Sequence, residues 1–326
     1  LRHRLVPYLY TWARRSVSEG VGPVRPLYHD HPQTLAAYEH RTTFCFGNLL
    51  VVPFTSPLDG ATGLGREMAW LPDGLWYDLP TGRRYEATTG GHGRMLSLSR
   101  PLDRIGVLAR AGSVIPLAGS LKEAAGDNPR ELEIVVVPGD SGSFTLEEDD
   151  GSAAPGPGRV ARTHLALTWP DTEGEEGEDA VLRIRLEGAD DVIPDSRLVR
   201  VRLLSGRVTD ALLGVGGRAR RLAVEEVDGD GFTLGAGMLI HLGELGRQEL
   251  VDGVELVLRG ARQVPADWRG EVHALLDAAH VAYAAKDRAW SAVERGLSGT
   301  DLLGEMESLG LPETLRAAVA EALPHS

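Results

Sequence analysis

Three kinds of residue in this chain could do chemistry: clustered carboxylates, a small histidine group and a set of aromatics. Asp78, in Trp76-Tyr77-Asp78, is a carboxylate between aromatics and a turn. Such a group could act as a nucleophile or proton donor. Its place just before Pro80-Thr81-Gly82, where proline presets the bend and glycine supplies a positive φ, favours a structural role instead. Glu147-Glu148-Asp149-Asp150 puts four acids in a row and suggests calcium. A dedicated calcium loop spreads its oxygen ligands along the chain, and this run does not, so a solvated turn is expected. His29, His31 and His40, with Cys45 nearby, invite a metal. No acidic or cysteine ligand stands at a matching close spacing, and His29-Asp30-His31-Pro32 reads as a polar loop. Cys45, between Phe44 and Phe46, reads as a small buried hydrophobe. No catalytic, cofactor-binding or metal-ligating residue is therefore predicted, and no cofactor.

Other catalytic patterns are absent from the sequence. There is no G-x-S-x-G elbow and no phosphate-binding glycine loop, and Gly214-Val215-Gly216-Gly217 has no helix start after it. Net charge is −13, which argues against nucleic acid and anionic membranes as partners. No apolar run reaches the roughly 20 residues of a spanning helix. With one cysteine there is no internal disulfide framework. Of 34 basic residues only Lys122 and Lys286 are lysines, a bias we read as genomic base composition. The chain opens at Leu1 without a Met and within a helical pattern, so further sequence is expected upstream. No signal peptide is visible, and a cytoplasmic location is expected over secretion.

The elements that must position these residues follow from hydrophobic period. Residues 1–20 read as a helix, with Leu5, Tyr8, Leu9 and Trp12 on one face, Pro7 in its first turn or at a kink, and Gly20 as its stop. Residues 44–117 are short apolar runs cut by Asp59-Gly60, Asp73-Gly74 and Pro80-Thr81-Gly82, the pattern of an all-β sandwich. Ile105, Val107 and Ala109 alternate with Gly106, Leu108 and Arg110, as in a strand with one face inward. Residues 118–130 are rich in Gly, Ala and charge and read as a linker.

A second β region follows, with strands over 132–136, 143–147, 165–169, 181–186, 198–204, 232–234 and 254–258. Arg183, Arg185, Arg200 and Arg202 alternate with apolar residues and form polar strand faces. Residues 171–179 read as a mobile acidic hairpin tip, and 218–221 as a basic turn or strand face. From Val264 the period becomes 3.6, with Asp267 as N-cap. One long helix is expected to carry Val272, Leu275, Leu276, Ala279, Tyr283, Trp290, Val293 and Leu297 on its apolar face. Shorter helices restart after Gly299-Thr300-Asp301 and at Pro312. Short helices are marginal in water, so the tail needs a partner, expected to be the distal β region or a second copy.

Three blocks carry a family resemblance: Gly47 to Pro53, Leu71 to Gly82 and Pro101 to Leu117. In order, they resemble "GPDLLVAPV…LPEGTWYDFWTG…APLDRIPVFVRAGSIIPL" of glycoside hydrolase family 31, the α-glucosidases and α-xylosidases. Leu79 and Leu108 depart from it, as apolar residues where the family carries aromatic ones. Arg4-Leu5-Val6-Pro7-Tyr8-Leu9-Tyr10-Thr11 is similar to the family's last barrel helix. Pro23-Val24-Arg25-Pro26-Leu27 is similar to its exit segment, and residues 143–151 to its distal sandwich. The resemblance ends near Leu258.

The resemblance implies a mainly β fold of two antiparallel sandwiches. Residues 1–27 would be the helix and exit segment left from a (β/α)8 barrel, 28–119 a proximal sandwich, 120–262 a distal sandwich and 263–326 a helical tail. It also implies a retaining α-glycosidase whose two catalytic aspartates stand on barrel strands preceding Leu1. This chain would then be the non-catalytic C-terminal region that buttresses the barrel, inactive alone, with sugar reaching it only through that barrel. Two alternatives are a stand-alone carbohydrate-binding module and an oligomerisation role for the tail. The first would stack sugar on Trp70, Trp76, Tyr77, Tyr85 and Trp169.

Overall fold

The computed structural model describes residues 1–88, 90–120, 128–152, 159–170, 179–229 and 233–324. It is mainly β, with two β-sandwich domains, an N-terminal helix and a helical tail. Two compact units divide it. One holds Leu1–Val24, Leu79–Gly82 and Ala109–Val264; the other holds Arg25–Asp78, Arg83–Leu108 and Pro265–Ser326. We call them the distal and proximal units.

The distal unit opens with the helix Val6–Ser18, shorter than the expected 1–20 because Pro7 occupies its first turn and residues 2–5 form turns before it. Gly20 lies just beyond its end at φ +72°. Leu5, Tyr8 and Trp12 are buried as the period required, while Leu9 is only half-buried. The Tyr8 ring stacks on Phe144 at 5.2 Å, so the face anchors on the strand Gly142–Asp149. A five-stranded sheet runs in the order Ala223–Val227, Gly237–Gly246, Ser196–Leu204, Glu131–Val136, Val114–Ala118. A six-stranded sheet runs Gly142–Asp149, Val160–Thr168, Ala180–Gly188, Val254–Arg259, Asp210–Val215, Arg218–Arg221. Leu182, Ile184 and Leu186 are buried between exposed Arg183 and Arg185, as the alternation predicts.

The structure corrects three expectations. Val114–Ala118 does not close the proximal sandwich. It pairs antiparallel with Glu131–Val136, from Val136↔Val114 to Leu132↔Ala118, inside the distal unit. The composition shift after Leu117 thus marks a connection within one sheet, and its residues 121–127 lie outside the described residues. Second, the sheets are not wholly antiparallel, because Glu131–Val136 runs parallel to Ser196–Leu204. Third, Thr233 and Leu234 lie outside any strand and Phe232 lies outside the described residues; the strand begins at Gly237 instead. Arg218–Arg221 meets the strand-face alternative: it is an exposed edge strand, and charged residues on an edge discourage pairing with other chains. The expected acidic hairpin tip falls at 171–178, outside the described residues.

The proximal unit contains a six-stranded sheet, ordered Val24–Pro26, Phe44–Phe46, Leu49–Val52, Gly106–Arg110, Leu75–Asp78, Arg84–Glu86, and the hairpin Gly65–Leu71/Arg94–Arg100. Leu50, Val52, Leu71, Trp76, Tyr85, Leu98 and Leu108 belong to one buried cluster. Gly106–Arg110 departs from the expected one-sided strand. Gly106 to Ala109 are all buried, as befits an interior strand covered on both faces.

The tail is helical from its Asp267 N-cap, whose side chain accepts the Gly270 N–H. Its helices are Trp268–Ala278, Tyr283–Glu294, Gly299–Ser308 and Glu313–Ala322. The expected long first helix is broken after Ala278. The His280 N–H donates instead to the Ala61 carbonyl at 2.6 Å, which draws the backbone out of the helical path. Tyr283 consequently starts a new helix and is 81% exposed rather than inward. Pro312 stands at the N-cap, one position before the first turn. Within its own unit the tail already finds packing partners. Val272, Leu276, Val293, Leu302, Met306, Leu315 and Val319 form a core of their own, and the last helix packs on the strand Arg94–Arg100.

Candidate functional site

The strongest concentration of buried charge lies in the proximal unit. Strand alternation turns Asp78, Tyr85 and Arg100 inward, where all three are buried. Arg100 Nη2 donates to Asp78 Oδ2 at 3.0 Å, and the Val107 N–H donates to Asp78 Oδ1 at 3.3 Å. Glu321, from the last helix, enters the same space. Its Oε1 accepts from Arg100 Nη1 at 2.6 Å and from the Tyr85 hydroxyl at 2.7 Å, and Arg83 Nη1 lies 2.6 Å from it. Its Oε2 accepts the Ser99 N–H at 2.7 Å. Glu271, on the first tail helix, takes Arg83 Nη2 at 2.7 Å. Burial alone would raise the Glu321 pKa, but Arg100 and Arg83 overcome it and hold the carboxyl below its usual range. Burial and the adjacent Glu321 charge push the Tyr85 hydroxyl up. A carboxylate locked by a buried guanidinium, as Asp78 is, has no free lone pair aimed at solvent for attack on a sugar or for proton transfer.

The run Glu147 to Asp150 is not a solvated turn. Glu147 to Asp149 continue the strand Gly142–Asp149, so successive acids face opposite sides. Glu147 and Asp149 face the N-terminal helix. Arg14 pairs with both, at 3.2 Å to Glu147, and the Tyr10 hydroxyl donates to Asp149 at 2.6 Å. Glu148 points the other way into a bidentate pair with Arg197 at 2.8 and 2.6 Å. Only Asp150 lies beyond the strand, paired with Arg159 at 3.3 Å. All four acids are thus held by arginines rather than gathered around one point. Glu133, which the sequence reading passed over, collects Arg4, Arg200 and Arg202 at 2.9, 2.6 and 3.0 Å. The polar strand face expected at Arg200 and Arg202 is in fact this shared ion site.

The histidines do not converge. His29 Nδ1 lies 2.9 Å from Asp30, and His31 meets the edge of Trp70 at 5.2 Å. Among the described residues no group of three or more His, Cys, Asp or Glu could hold a metal ion. Cys45 is half-buried, and burial together with the nearby Asp30 charge pushes its thiol up to about 12. Every aromatic singled out for sugar stacking, Trp70, Trp76, Tyr77, Tyr85 and Trp169, is buried, and Trp76 is only 6% exposed. Trp76 Nε1 donates to the Pro72 carbonyl at 2.8 Å, so its polar edge is satisfied within the core. Period-2 parity was the available signal for one of the missed residues, Arg197. Arg197 shares the inward register of its strand with Val199, Val201 and Leu203, whereas Glu133 lies on the opposite face from Leu132 and Ile134, beside Arg200 and Arg202, where parity does not single it out. Glu321 carried no comparable signal, because its partners lie more than 200 residues away.

Within this β-sandwich architecture Asp78 and the run Glu147 to Asp150 are all paired with arginines. Residues 20–115 match the family model described as "Glycosyl hydrolase family 31 C-terminal domain". The chain therefore carries a glycoside hydrolase family 31 C-terminal domain, as found in α-glycosidases. The α-xylosidase of Saccharolobus solfataricus is 33% identical over 46% of this chain and 20% of that protein. The lysosomal α-glucosidase of Rattus norvegicus is 28% identical over 47% of this chain and 17% of that protein. Among solved structures, the family 31 α-xylosidase from Xanthomonas citri is 28% identical at a TM-score of 0.51, covering 62% of this chain and 21% of its own. A family 31 dextranase from Flavobacterium johnsoniae reaches a TM-score of 0.58 at 18% identity, over 79% of this chain and 31% of its own, a likeness of fold alone. The chain thus spans about a fifth of the length of the curated relatives it matches.

Proposed function

We propose that this chain is the non-catalytic C-terminal region of a retaining α-glycosidase acting on α-glucosides or α-xylosides. Its role is to support a catalytic barrel belonging to the same polypeptide, and its contact with carbohydrate runs through that barrel. The observation that carries this reading is the state of the acids. Retaining hydrolysis needs two carboxylates about 5–5.5 Å apart across the scissile bond, one free to attack and one free to pass a proton. Here Asp78 is buried against Arg100, and Glu147 to Asp150 are each paired with arginine. The test is nitrophenol release from aryl α-glucoside and α-xyloside at high concentration of this chain. No turnover is expected; turnover that survives repurification and is lost in Asp78→Asn would overturn the reading. We also propose a cytoplasmic location for the parent protein, which fractionation of cells carrying the full gene would refute by finding it outside the cell.

A further inference from the structure

The proximal sandwich and the tail meet through charges of opposite excess. The sandwich contributes Asp78 and Arg100 from its strands and Arg83 from just before the strand Arg84–Glu86, two positive groups against one negative; the tail contributes the carboxylates Glu271 and Glu321. Arg83, Arg100, Tyr85 and Ser99 all lie within residues 20–115, whereas Glu321 lies far outside them. Four donors converge on one carboxylate: two guanidinium groups, a phenol and a backbone N–H, at 2.6 to 2.7 Å. This is the donor set that would recognise any carboxylate, with both oxygens addressed. A cleft of about 380 Å³, lined by Tyr85, Arg94, Ser97, Ala317, Ala320 and Glu321 among others, borders the place where Glu321 sits.

We propose that Arg83, Arg100, Tyr85 and the Ser99 N–H form a carboxylate receptor on the sandwich, and that the tail is its built-in ligand, held through Glu321. The tail is then a clamp closed within its own chain, and the receptor accepts a free carboxylate when Glu321 is shortened. Glu321 is the group to test because it is buried among the strand residues, whereas Glu271 bridges from nearer the surface. Removing one partner of a buried, hydrogen-bonded ion cluster leaves charge there undercompensated, which is far more damaging than losing an exposed pair.

The experiment is hydrogen exchange on the intact chain, reading the helix Glu313–Ala322, for parent, Glu321→Ala and Glu321→Gln. In Glu321→Ala the amides of that helix should exchange roughly 100-fold faster or more, in keeping with loss of a buried charged partner. Sodium formate at about 0.1 M should restore at least about a tenfold part of that protection, while sodium chloride at equal ionic strength should not, since formate alone offers two oxygens to the four donors. Glu321→Gln keeps the volume and fills the receptor with an amide, so formate should not rescue it. Equal protection in parent and Glu321→Ala would overturn the clamp, and equal rescue by chloride and formate would overturn the receptor. Should Glu321→Ala fail to fold, the same comparison is made by thermal melting of Tyr85→Phe. That variant removes one donor, keeps the carboxylate, and should lower the melting temperature by several degrees. An unchanged melting temperature there would equally refute the proposal. Neither result bears on hydrolysis, so this idea and the proposed function fail separately.

Discussion

Replacing Arg197 by Met tests how the distal unit tolerates its most deeply buried charge. Arg197 and Glu148 have side chains 1% and 3% exposed, and they meet in two parallel bonds of 2.8 and 2.6 Å. Arg197→Met keeps most of the side-chain volume but strands the Glu148 carboxylate in the interior. Breaking a buried pair from one side costs about 3–5 kcal/mol. With a urea dependence of ~2 kcal/mol per molar for a domain of this size, the unfolding midpoint should fall by about 2 M. Trp169, buried in the same unit, serves as a fluorescence reporter. The decisive variant is the double Arg197→Met/Glu148→Leu. Replacing both charges with apolar groups is close to neutral or stabilising in such cases, so the midpoint should return to within about 0.5 M of the parent. The cycle would then show a coupling of several kcal/mol between residues in direct contact. A single variant that unfolds at the parental midpoint would refute the reasoning, because the pair would then be exchanging with water. A double variant as weak as Arg197→Met would refute it differently, by showing that packing around Arg197 matters more than its charge.

Three further outcomes are expected. Trp76→Ala should destabilise the proximal unit by about 3–5 kcal/mol, the range for truncating a core aromatic, and an unshifted denaturation midpoint would place Trp76 at the surface. At Asp30, burial acts to raise the pKa, but hydrogen bonds from Arg25 and His29 outweigh it and bring the carboxyl from 3.8 to about 2. A depressed folded-state pKa supplies stability above the ordinary value that is lost as pH falls through about 2. The slope of melting temperature against pH between 4 and 2 should therefore flatten in Asp30→Asn, and an unchanged slope would speak against this. Finally, Cys45 should resist iodoacetamide at pH 8 in the native chain and label on unfolding, because the thiolate is the reactive form and the folded thiol is pushed up to about 12. Mass spectrometry that finds equal labelling rates would contradict that.

Much of the fold was legible in the chain because it rests on local physics. Glycine and proline at Asp73-Gly74 and Pro80-Thr81-Gly82 mark turns wherever they stand, and Gly82 does take a φ of +73°. Period-2 runs such as residues 182–186 show which side of a strand is dry, and the Asp267 cap is a contact with a residue three positions on. The position of Asp78 beside a turn was also readable, though not its partner, the Arg100 guanidinium. What only the tertiary structure decided depends on residues distant in sequence. Val114–Ala118 could complete either sandwich by its own pattern, and its ladder with Glu131–Val136 settled the matter. The helix break after Ala278 has no glycine or proline to announce it, since a carbonyl from Ala61 competes for the His280 N–H. Four acids in a row look like a solvated or metal-binding turn until strand alternation sends Glu148 to Arg197 and its neighbours to Arg14. A buried charge is tolerated only where a partner of opposite sign has been brought to it, and the fold alone determines which partner arrives.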